Sequence, residues 1–334
     1  MDLVYAFVRL FVRFGLRLYY HKINVEGLEN VPQGVPLLVT ANHQNALIDP
    51  LLVGAFTPTP LHYLTRSDVF NKWTSPLMKL IHMMPIYRIR DGYSKLSQNN
   101  QVFDSCFKIF KRNESVLIFA EGNHGKEYYL RPLTKGAARL ALQAQNELEQ
   151  DLHILPVGLN FFDHRKPKST VIIKIGKPLA IKDFLYQYEA NQAKGLISMR
   201  DAISQSMKST LVIPDESEDY HKKKSAIFQS KHEDFSFDEL IAIDFKNVKV
   251  EKHKQSNHWI ARMLNPLPFL IINRILRKTE DVVFHSTLKF GVGIIAFPLW
   301  WLIVFLILSI SVGINIAILA VVVMSTGLFY SYQR

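Results

Sequence analysis

The chain has 334 residues, of which 48% are apolar, so it can bury the core of one large domain and carry an accessory segment. Its 40 basic residues exceed its 29 acidic residues, which indicates an anionic partner: nucleic acid, a membrane surface or a phosphorylated substrate. A single cysteine, Cys106, excludes an intramolecular disulfide, and the 12 histidines are scattered, so we predict no metal site.

The predicted elements begin with an amphipathic helix. Arginine recurs every fourth residue through an apolar and aromatic stretch that ends at Tyr20, at positions Arg9, Arg13 and Arg17. A signal peptide would place its basic residues before an unbroken apolar run, so we expect this helix to remain on the mature protein. Residues 1–22 are predicted to lie on an anionic membrane surface. The alternative is a helix packed on the domain with its arginines in solvent.

Apolar runs bounded by turn residues predict the strands of a sheet. They are, in chain order, Ile23–Gly27, Pro36–Thr40, Leu61–Thr65, Met84–Arg90, Ser115–Phe119, Ile154–Phe162 and Thr170–Ile175, the last two paired with each other. Periodicity predicts helices over Ser94–Arg112 and Leu185–Leu211. The sequence therefore predicts an α/β fold with a mixed, mostly parallel sheet that is flanked by helices.

A polar loop follows the second of these strands. It carries Asn42 and His43 at its start and Asp49 at its end, before Pro50. Open α/β sheets place their chemistry where a buried strand leads into such a loop, so His43 is the first candidate for a general base. A carboxylate on the other ring nitrogen would fix the tautomer and stabilise the cation, and Asp49 could supply it. Asp49 before proline is also a good helix N-cap, which is the alternative.

Arginines near a later strand are candidates for phosphate binding. Arg88 and Arg90 share one face of the predicted strand, where two guanidiniums could clamp a phosphate. A solvated basic edge of the sheet is the alternative.

A second polar loop follows the strand Ser115–Phe119. It contains Glu121 and Gly122, and its glycines allow close approach of the backbone to an anionic ligand. Glu121 could orient the arginines or bond a hydroxyl, or it could be a simply paired carboxylate. Downstream, Arg131 and Lys135 lie where the next helix begins. Cations there oppose the helix dipole unless an anion lies nearby, so both are secondary phosphate candidates.

Taken together, these stretches resemble the glycerolipid acyltransferase family, which includes 1-acyl-glycerol-3-phosphate and glycerol-3-phosphate acyltransferases. The resemblance covers roughly residues 23–181. Four blocks carry it in order: Asn42-His43 with Asp49, Pro85–Arg90, Phe119–Gly122 with Lys135–Ala138, and Leu155–Gly158.

The resemblance implies a reaction and a set of roles. His43 would deprotonate an acceptor hydroxyl that attacks the thioester of acyl-coenzyme A or acyl carrier protein, and Asp49 would support the imidazolium. No cofactor is implied, because the acyl donor is a co-substrate. The implied substrate-binding residues are Asn42, Arg88, Arg90, Glu121, Gly122, Arg131 and Lys135.

The sequence departs from the family pattern at two places. Five residues separate His43 from Asp49, where the common box has four. A similar longer box occurs in a glycerol-3-phosphate and dihydroxyacetone-phosphate branch, which makes an acceptor without an acyl chain credible. The third block usually continues with threonine, arginine and serine, whereas Asn123, His124 and Gly125 follow here. The usual arginine is missing, which puts acceptor contacts at this block in doubt.

The C-terminal part of the chain changes composition. After the predicted acyltransferase domain, residues 23–212, we expect a charged linker and helical region over 213–288, with Pro214–Phe237 on the surface. No charged residue lies between Lys289 and Arg334, a run about twice as long as one bilayer-spanning helix needs.

We therefore predict a transmembrane hairpin over residues 289–334, with spans at Phe290–Leu308 and Val312–Tyr330. Basic residues flank the hairpin, so both ends and the catalytic domain are expected on the cytoplasmic side. A buried hairpin of a soluble protein is the alternative.

The predicted function is transfer of a fatty acyl group from a thioester to lysophosphatidate or glycerol 3-phosphate in phospholipid synthesis, at a membrane. The expected partners are membrane lipids, the acyl donor and the phosphorylated glycerol acceptor. The alternative is a catalytically silent lipid-binding protein on the same fold, which the missing third-block arginine supports. A nucleic-acid binder is disfavoured, because the basic residues flank apolar segments and form no aromatic-basic recognition motif.

Overall fold

The computed structural model describes residues 3–88, 92, 94, 97–248 and 259–330. Its strands are β1 Lys22–Glu26, β2 Leu37–Ala41, β3 Leu61–Arg66, β4 Met83–Ile86, β5 Ser115–Ile118, β6 His153–Phe161, β7 Thr170–Ile175 and β8 Leu179–Ala180. Its helices of five or more residues are α1 Leu3–Tyr19, α2 Ile48–Phe56, α3 Ser75–Leu80, α4 Asn99–Phe110, α5 Gly136–Glu147, α6 Leu185–Ala190, α7 Gln192–Lys208, α8 Tyr220–Ile227, α9 Phe237–Ile241, α10 Trp259–Leu264, α11 Pro266–Arg277, α12 His285–Ser311 and α13 Ile314–Tyr330.

The eight strands form one sheet in the order β1-β7-β6-β2-β5-β3-β4, with β8 paired to β6. Strand β6 pairs antiparallel with β7 and β8, and the other pairings are parallel. The predicted mixed, mostly parallel sheet is confirmed, as is the predicted pairing of its last two long strands. Because β2, β3, β4 and β5 are mutually parallel, their carboxyl ends meet at one edge of the sheet.

Both faces of the sheet are covered, which explains why the central strands are apolar along their whole length. Successive residues of β2 point to opposite faces. Leu37 and Val39 belong to a core with α1 and α2, while Leu38 belongs to a second core with α4 and α5. All three of these side chains are fully buried.

The arginines of α1 face the domain. Arg9 donates hydrogen bonds to the carbonyls of Gly54 and Thr57 at the C-terminal end of α2, where free carbonyls favour a cation. The guanidiniums of Arg13 and Arg17 lie 5.2 and 5.9 Å from the ring centre of Phe56. Arg13 and Arg17 are still exposed, so the membrane-surface role expected of this helix stays a prediction.

The opposite face of α1 is apolar and exposed. Its exposed side chains are Leu3, Val4, Phe7, Leu10, Phe11, Phe14 and Leu18. A contiguous apolar helix face of this kind is typical of a surface that contacts a membrane or another protein.

The segment predicted as a surface linker, Pro214–Phe237, packs on the domain. Tyr220, Ile227, Phe228 and Phe237 are buried and belong to the core that contains α1 and α2. The linker prediction is wrong here because charged residues such as Lys222 and Lys223 occupy the outer face of a short helix, α8, whose inner face is apolar.

The apolar C-terminal run forms two helices that pack on each other, α12 and α13, joined at Val312 and Gly313. Within the described part of the chain, one helix is long and apolar enough to cross a membrane, Val282–Ser311, and the second apolar helix is shorter. The start of α12 docks on the domain, since Phe290 is buried and its ring packs on Tyr19. Beyond Gly293 the helix exposes mainly apolar side chains.

Candidate active site

The loop after β2 is held in the sheet by its first residue. The side-chain amide of Asn42 donates to the carbonyl of Leu159 over 3.0 Å and accepts from the backbone N–H of Leu159 over 2.7 Å. Asn42 is buried, and its side chain thus pairs with β6 as a backbone peptide would. This predicted substrate-binding residue positions the loop from inside the sheet.

His43 and Asp49 lie side by side. Nδ1 of His43 is 2.8 Å from Oδ2 of Asp49, whose carboxylate is fully buried. The same oxygen accepts the backbone N–H groups of Gln44 and Asn45, each over 2.7 Å. Three polar groups converging on one oxygen fix the orientation of the carboxylate.

Asp49 does not cap α2. The N-cap residue is Leu47, and Asp49 lies in the first turn with its side chain directed back to the loop. The interpretation of Asp49 as an N-cap is therefore wrong. Within this loop Ala46 has a φ of 38°, in the region that non-glycine residues rarely adopt.

The backbone of His43 is fixed from the neighbouring strand. Its N–H donates to Oε1 of Glu121 over 2.9 Å, and its carbonyl accepts the N–H of Gly125 over 3.0 Å. Its ring stacks on Phe119 with centroids 4.0 Å apart. Because Phe119, Glu121 and Gly125 all follow β5, the ends of β2 and β5 together position the imidazole.

Arg131 lies against this loop rather than in an open anion site. Its Nε is 2.6 Å from Oε2 of Glu121, and its guanidinium also donates to the carbonyl of Asn123. A Cβ added at Gly125 would lie 2.7 Å from Nε of Arg131, so the glycine makes room for the guanidinium. Arg131 thus places a guanidinium beside the third block, where this sequence lacks the family's arginine.

Burial has the largest effect on the pKa of Glu121. It raises the pKa of Glu121 to about 7, and the ion pair with Arg131 and the hydrogen bond from His43 act in the opposite direction. The side chain is almost fully buried at 3% exposed. Glu121 is thus paired with Arg131 and accepts from the backbone of His43.

Four predicted residues remain, and three of them lie in the described part of the chain. Gly122 has a φ of 74°, which only glycine adopts readily, and a Cβ there would press on Thr134. Arg88 is largely buried, with its guanidinium 3.8 Å from the carboxylate of Asp68, while Arg90 lies outside the described residues. Lys135 is exposed at the N-cap position of α5.

Sequence reasoning missed two residues at the site. The ring of His124 meets that of His43 edge to face, with centroids 5.7 Å apart, and its Nε2 is 3.3 Å from Oδ2 of Asp281. His124 stands where the family has arginine, and that substitution was the available signal. Asp281 is 157 residues away in sequence and gave no signal.

Comparison with known proteins assigns the part of the chain that carries this site. Residues 22–160 match the family model described as Acyltransferase. This segment is an acyltransferase domain. It contains His43, Asp49, Glu121 and Arg131, and its match confirms the family that the sequence blocks predicted.

Two curated relatives match part of the acyltransferase domain. The chloroplastic 1-acyl-sn-glycerol-3-phosphate acyltransferase LPAT1 of Arabidopsis thaliana is 28% identical over 127 residues, which cover 36% of this chain and 33% of the relative. Glycerol-3-phosphate O-acyltransferase 1 of Saccharomyces cerevisiae is 26% identical over 124 residues, which cover 36% of this chain and 16% of the relative. The matched segment therefore spans a third or less of these relatives.

A solved structure is also similar. The crystal structure of the 1-acyl-sn-glycerophosphate acyltransferase PlsC from Thermotoga maritima aligns with a TM-score of 0.45 and 17% identity, over 61% of this chain and 78% of that one.

Proposed function

We propose that the chain transfers a fatty acyl group from a thioester, acyl-coenzyme A or acyl carrier protein, to a hydroxyl of a phosphorylated glycerol, either lysophosphatidate or glycerol 3-phosphate. The observation that carries the proposal is the 2.8 Å contact between His43 Nδ1 and the buried carboxylate of Asp49 within an acyltransferase domain. The names of the two relatives, acyltransferases for 1-acyl-sn-glycerol 3-phosphate and glycerol 3-phosphate, support this acceptor class.

The proposed reaction uses His43 as a general base. Because Asp49 accepts a hydrogen bond at Nδ1, the neutral imidazole carries its proton there and leaves Nε2 free to take a proton. Nε2 removes the acceptor's hydroxyl proton as the oxygen attacks the thioester carbonyl. The new C–O bond forms, the C–S bond breaks, and the imidazolium returns the proton to the leaving thiolate. The donor supplies the activated acyl group, so the reaction requires no cofactor.

The acceptor phosphate is proposed to bind at the carboxyl ends of β3 and β4. Arg88 lies there beside Asp68, and a guanidinium offers paired donors that match phosphate oxygens. We assign the phosphate contact to Arg88 together with Arg90, and a contributing role to exposed Lys135. Binding there would bring the acceptor hydroxyl to His43, so that positioning supplies much of the rate.

The proposed place of reaction is a membrane surface. The exposed apolar face of α1 and the apolar helix α12 support membrane association. We propose that α12 and α13 form an anchoring hairpin. Basic residues on α11, Arg274 and Arg277, precede it and support a catalytic domain on the cytoplasmic side.

The test is an acceptor screen with the full chain in detergent micelles. Acyl-coenzyme A and acyl carrier protein thioesters are each combined with glycerol 3-phosphate and lysophosphatidate, and products are detected by mass. An acylated product that disappears in His43→Ala supports the proposal. Lipid binding without thioester consumption in every combination would instead support a catalytically silent lipid-binding protein.

A further inference from the structure

The first turns of the apolar helix lie against the active-site loops. The backbone N–H of Leu47, between His43 and Asp49, donates to Oγ1 of Thr287 over 3.1 Å. The hydroxyl of Ser286 donates to the carbonyl of His164 over 2.5 Å, and the amide of Asn45 donates to the same carbonyl over 2.7 Å. Helix α12 is therefore hydrogen-bonded directly to the loop that contains His43.

His124 links the start of the apolar helix to His43. Its ring lies between His43 and Phe284, with centroids 5.7 and 5.2 Å away, and its side chain is only 13% exposed. The next residue, Gly125, donates its N–H to the carbonyl of His43. A contact that holds His124 in place therefore also holds the backbone of His43.

Asp281 supplies that contact and is itself oriented by the helix start. Its Oδ1 accepts the N–H of Val283 over 3.1 Å, as an N-cap of the single turn that precedes α12. Its Oδ2 lies 3.3 Å from Nε2 of His124. One carboxylate thus joins the beginning of the apolar helix to the loop after β5.

We propose that Asp281 is a positioning residue for acyl transfer, which acts through His124 to hold His43, and that residues 281–289 form a wall of the active site. This inference rests on the proposed function. Helix α12 then does more than tether the domain, because the geometry of His43 depends on how its first turns are docked.

Asp281→Asn separates the positioning role from the capping role. Asparagine caps helices about as well as aspartate, so the turn before α12 is kept while the carboxylate next to His124 is lost. His124→Ala removes the other partner, and His124→Gln keeps an amide donor for Asp281. Asp244→Asn is the matched control, because Asp244 also accepts a backbone N–H at an exposed turn.

The full chain of each variant is assayed in detergent micelles for kcat, acceptor KM and melting temperature. Since small misplacements of a catalytic group are costly, we expect Asp281→Asn and His124→Ala each to lower kcat about tenfold, with acceptor KM and melting temperature nearly unchanged. The double variant should be no worse than either single one, and His124→Gln should recover part of the loss. Unchanged kcat in both single variants, or additive losses in the double variant, would overturn the proposal.

A second measurement is independent of turnover. Carbethoxylation of histidines is followed by peptide mass spectrometry, with His62 as the internal reference. His62 and His43 are each 16% exposed and each paired with a carboxylate at 2.8 Å.

The positioning proposal predicts faster modification of His43 relative to His62 in Asp281→Asn and His124→Ala, and an unchanged ratio in Asp244→Asn. An unchanged ratio in all three variants overturns it. If the wild-type chain forms no acylated product with any thioester and acceptor pair, the proposed function fails, and this ratio still decides whether Asp281 holds His43.

Discussion

Oδ2 of Asp49 lies 2.8 Å from Nδ1 of His43 and accepts two backbone N–H groups from the loop between them. The carboxylate therefore orients the imidazole and shapes the loop at the same time. The two roles depend on different properties, because any oxygen acceptor can bond the N–H groups, but only a charged group stabilises an imidazolium.

Asp49→Asn should lower kcat by about 10² or more, because the neutral amide lacks the negative charge that stabilises the imidazolium. The asparagine oxygen can still accept the N–H groups of Gln44 and Asn45, so the protein should remain folded. Activity and melting temperature are measured beside His43→Ala and a remote control, Asp201→Asn. Near wild-type kcat with an unchanged melting temperature would remove Asp49 from the mechanism.

Arg88 and Arg131 should respond differently to the same substitution. Lysine keeps the charge but loses the paired donors of the guanidinium. Arg88→Lys should raise the acceptor KM with little effect on the donor KM, since we place Arg88 at the phosphate. Arg131→Lys should lower kcat and the melting temperature instead, because Arg131 binds Glu121 and the carbonyl of Asn123. If the acceptor KM rises in Arg131→Lys and not in Arg88→Lys, Arg131 and not Arg88 contacts the phosphate.

Glu121 should make stability depend on pH in a defined direction. Its pKa is raised to about 7 in the folded chain, so the folded state holds this proton more tightly than the unfolded state. The stabilisation is fully present below about pH 4.5 and is lost as pH rises to about 7, amounting to at most about 3 kcal/mol.

Thermal unfolding in detergent micelles between pH 5 and pH 8 checks this expectation. The melting temperature of the wild-type chain should fall relative to that of Glu121→Gln as pH rises through this window. Glu189→Gln, at an exposed position, serves as the control. A constant difference between wild type and Glu121→Gln would contradict the raised pKa.

The apolar face of α1 should enter the lipid. A nitroxide attached at Phe7→Cys should collide more with oxygen than with a water-soluble nickel complex when the chain is in anionic vesicles. Tyr186→Cys is the control, since Tyr186 is 84% exposed and Phe7 is 70% exposed. The native thiol does not interfere, because Cys106 is fully buried and burial raises its pKa to about 12. Equal access of nickel to both positions would place α1 in water.

The sequence predicted seven of the eight strands that the structure describes, because most are short apolar runs, but it missed β8, and β4 ends at Ile86, so Arg88 lies beyond the strand that was predicted to carry it. It placed His43, Asp49 and Glu121 after buried strands, and the parallel sheet brings them together. It failed where long-range contacts decide the outcome. Arg9 of α1 donates to carbonyls at the end of α2, and a guanidinium on a flexible stem suits such a site as well as it suits a membrane.

The site was predicted less completely where its contacting residues lie far apart in the sequence. Arg131 was recognised as a cation near a helix start, but its partner Glu121 could only be one of several possibilities until the loop geometry was known. Asp281 lies far along the chain, in a segment that composition identifies only as charged, and the contact with His124 depends on how the apolar helix docks.

The bonds between Asn42 and Leu159 have a consequence for how this loop tolerates insertions. The side-chain amide of Asn42 both donates to and accepts from β6, which holds the first residue of the loop. Glu121 accepts the backbone N–H of the next residue, His43. His43 is thus fixed by two neighbouring strands before the chain turns towards α2. Residues can be gained between His43 and Asp49 without moving the imidazole, provided that the loop still brings Asp49 back to His43, as it does here. The length of the loop can therefore change with little effect on His43, whereas Asn42 can be replaced only by a short side chain that offers both a donor and an acceptor.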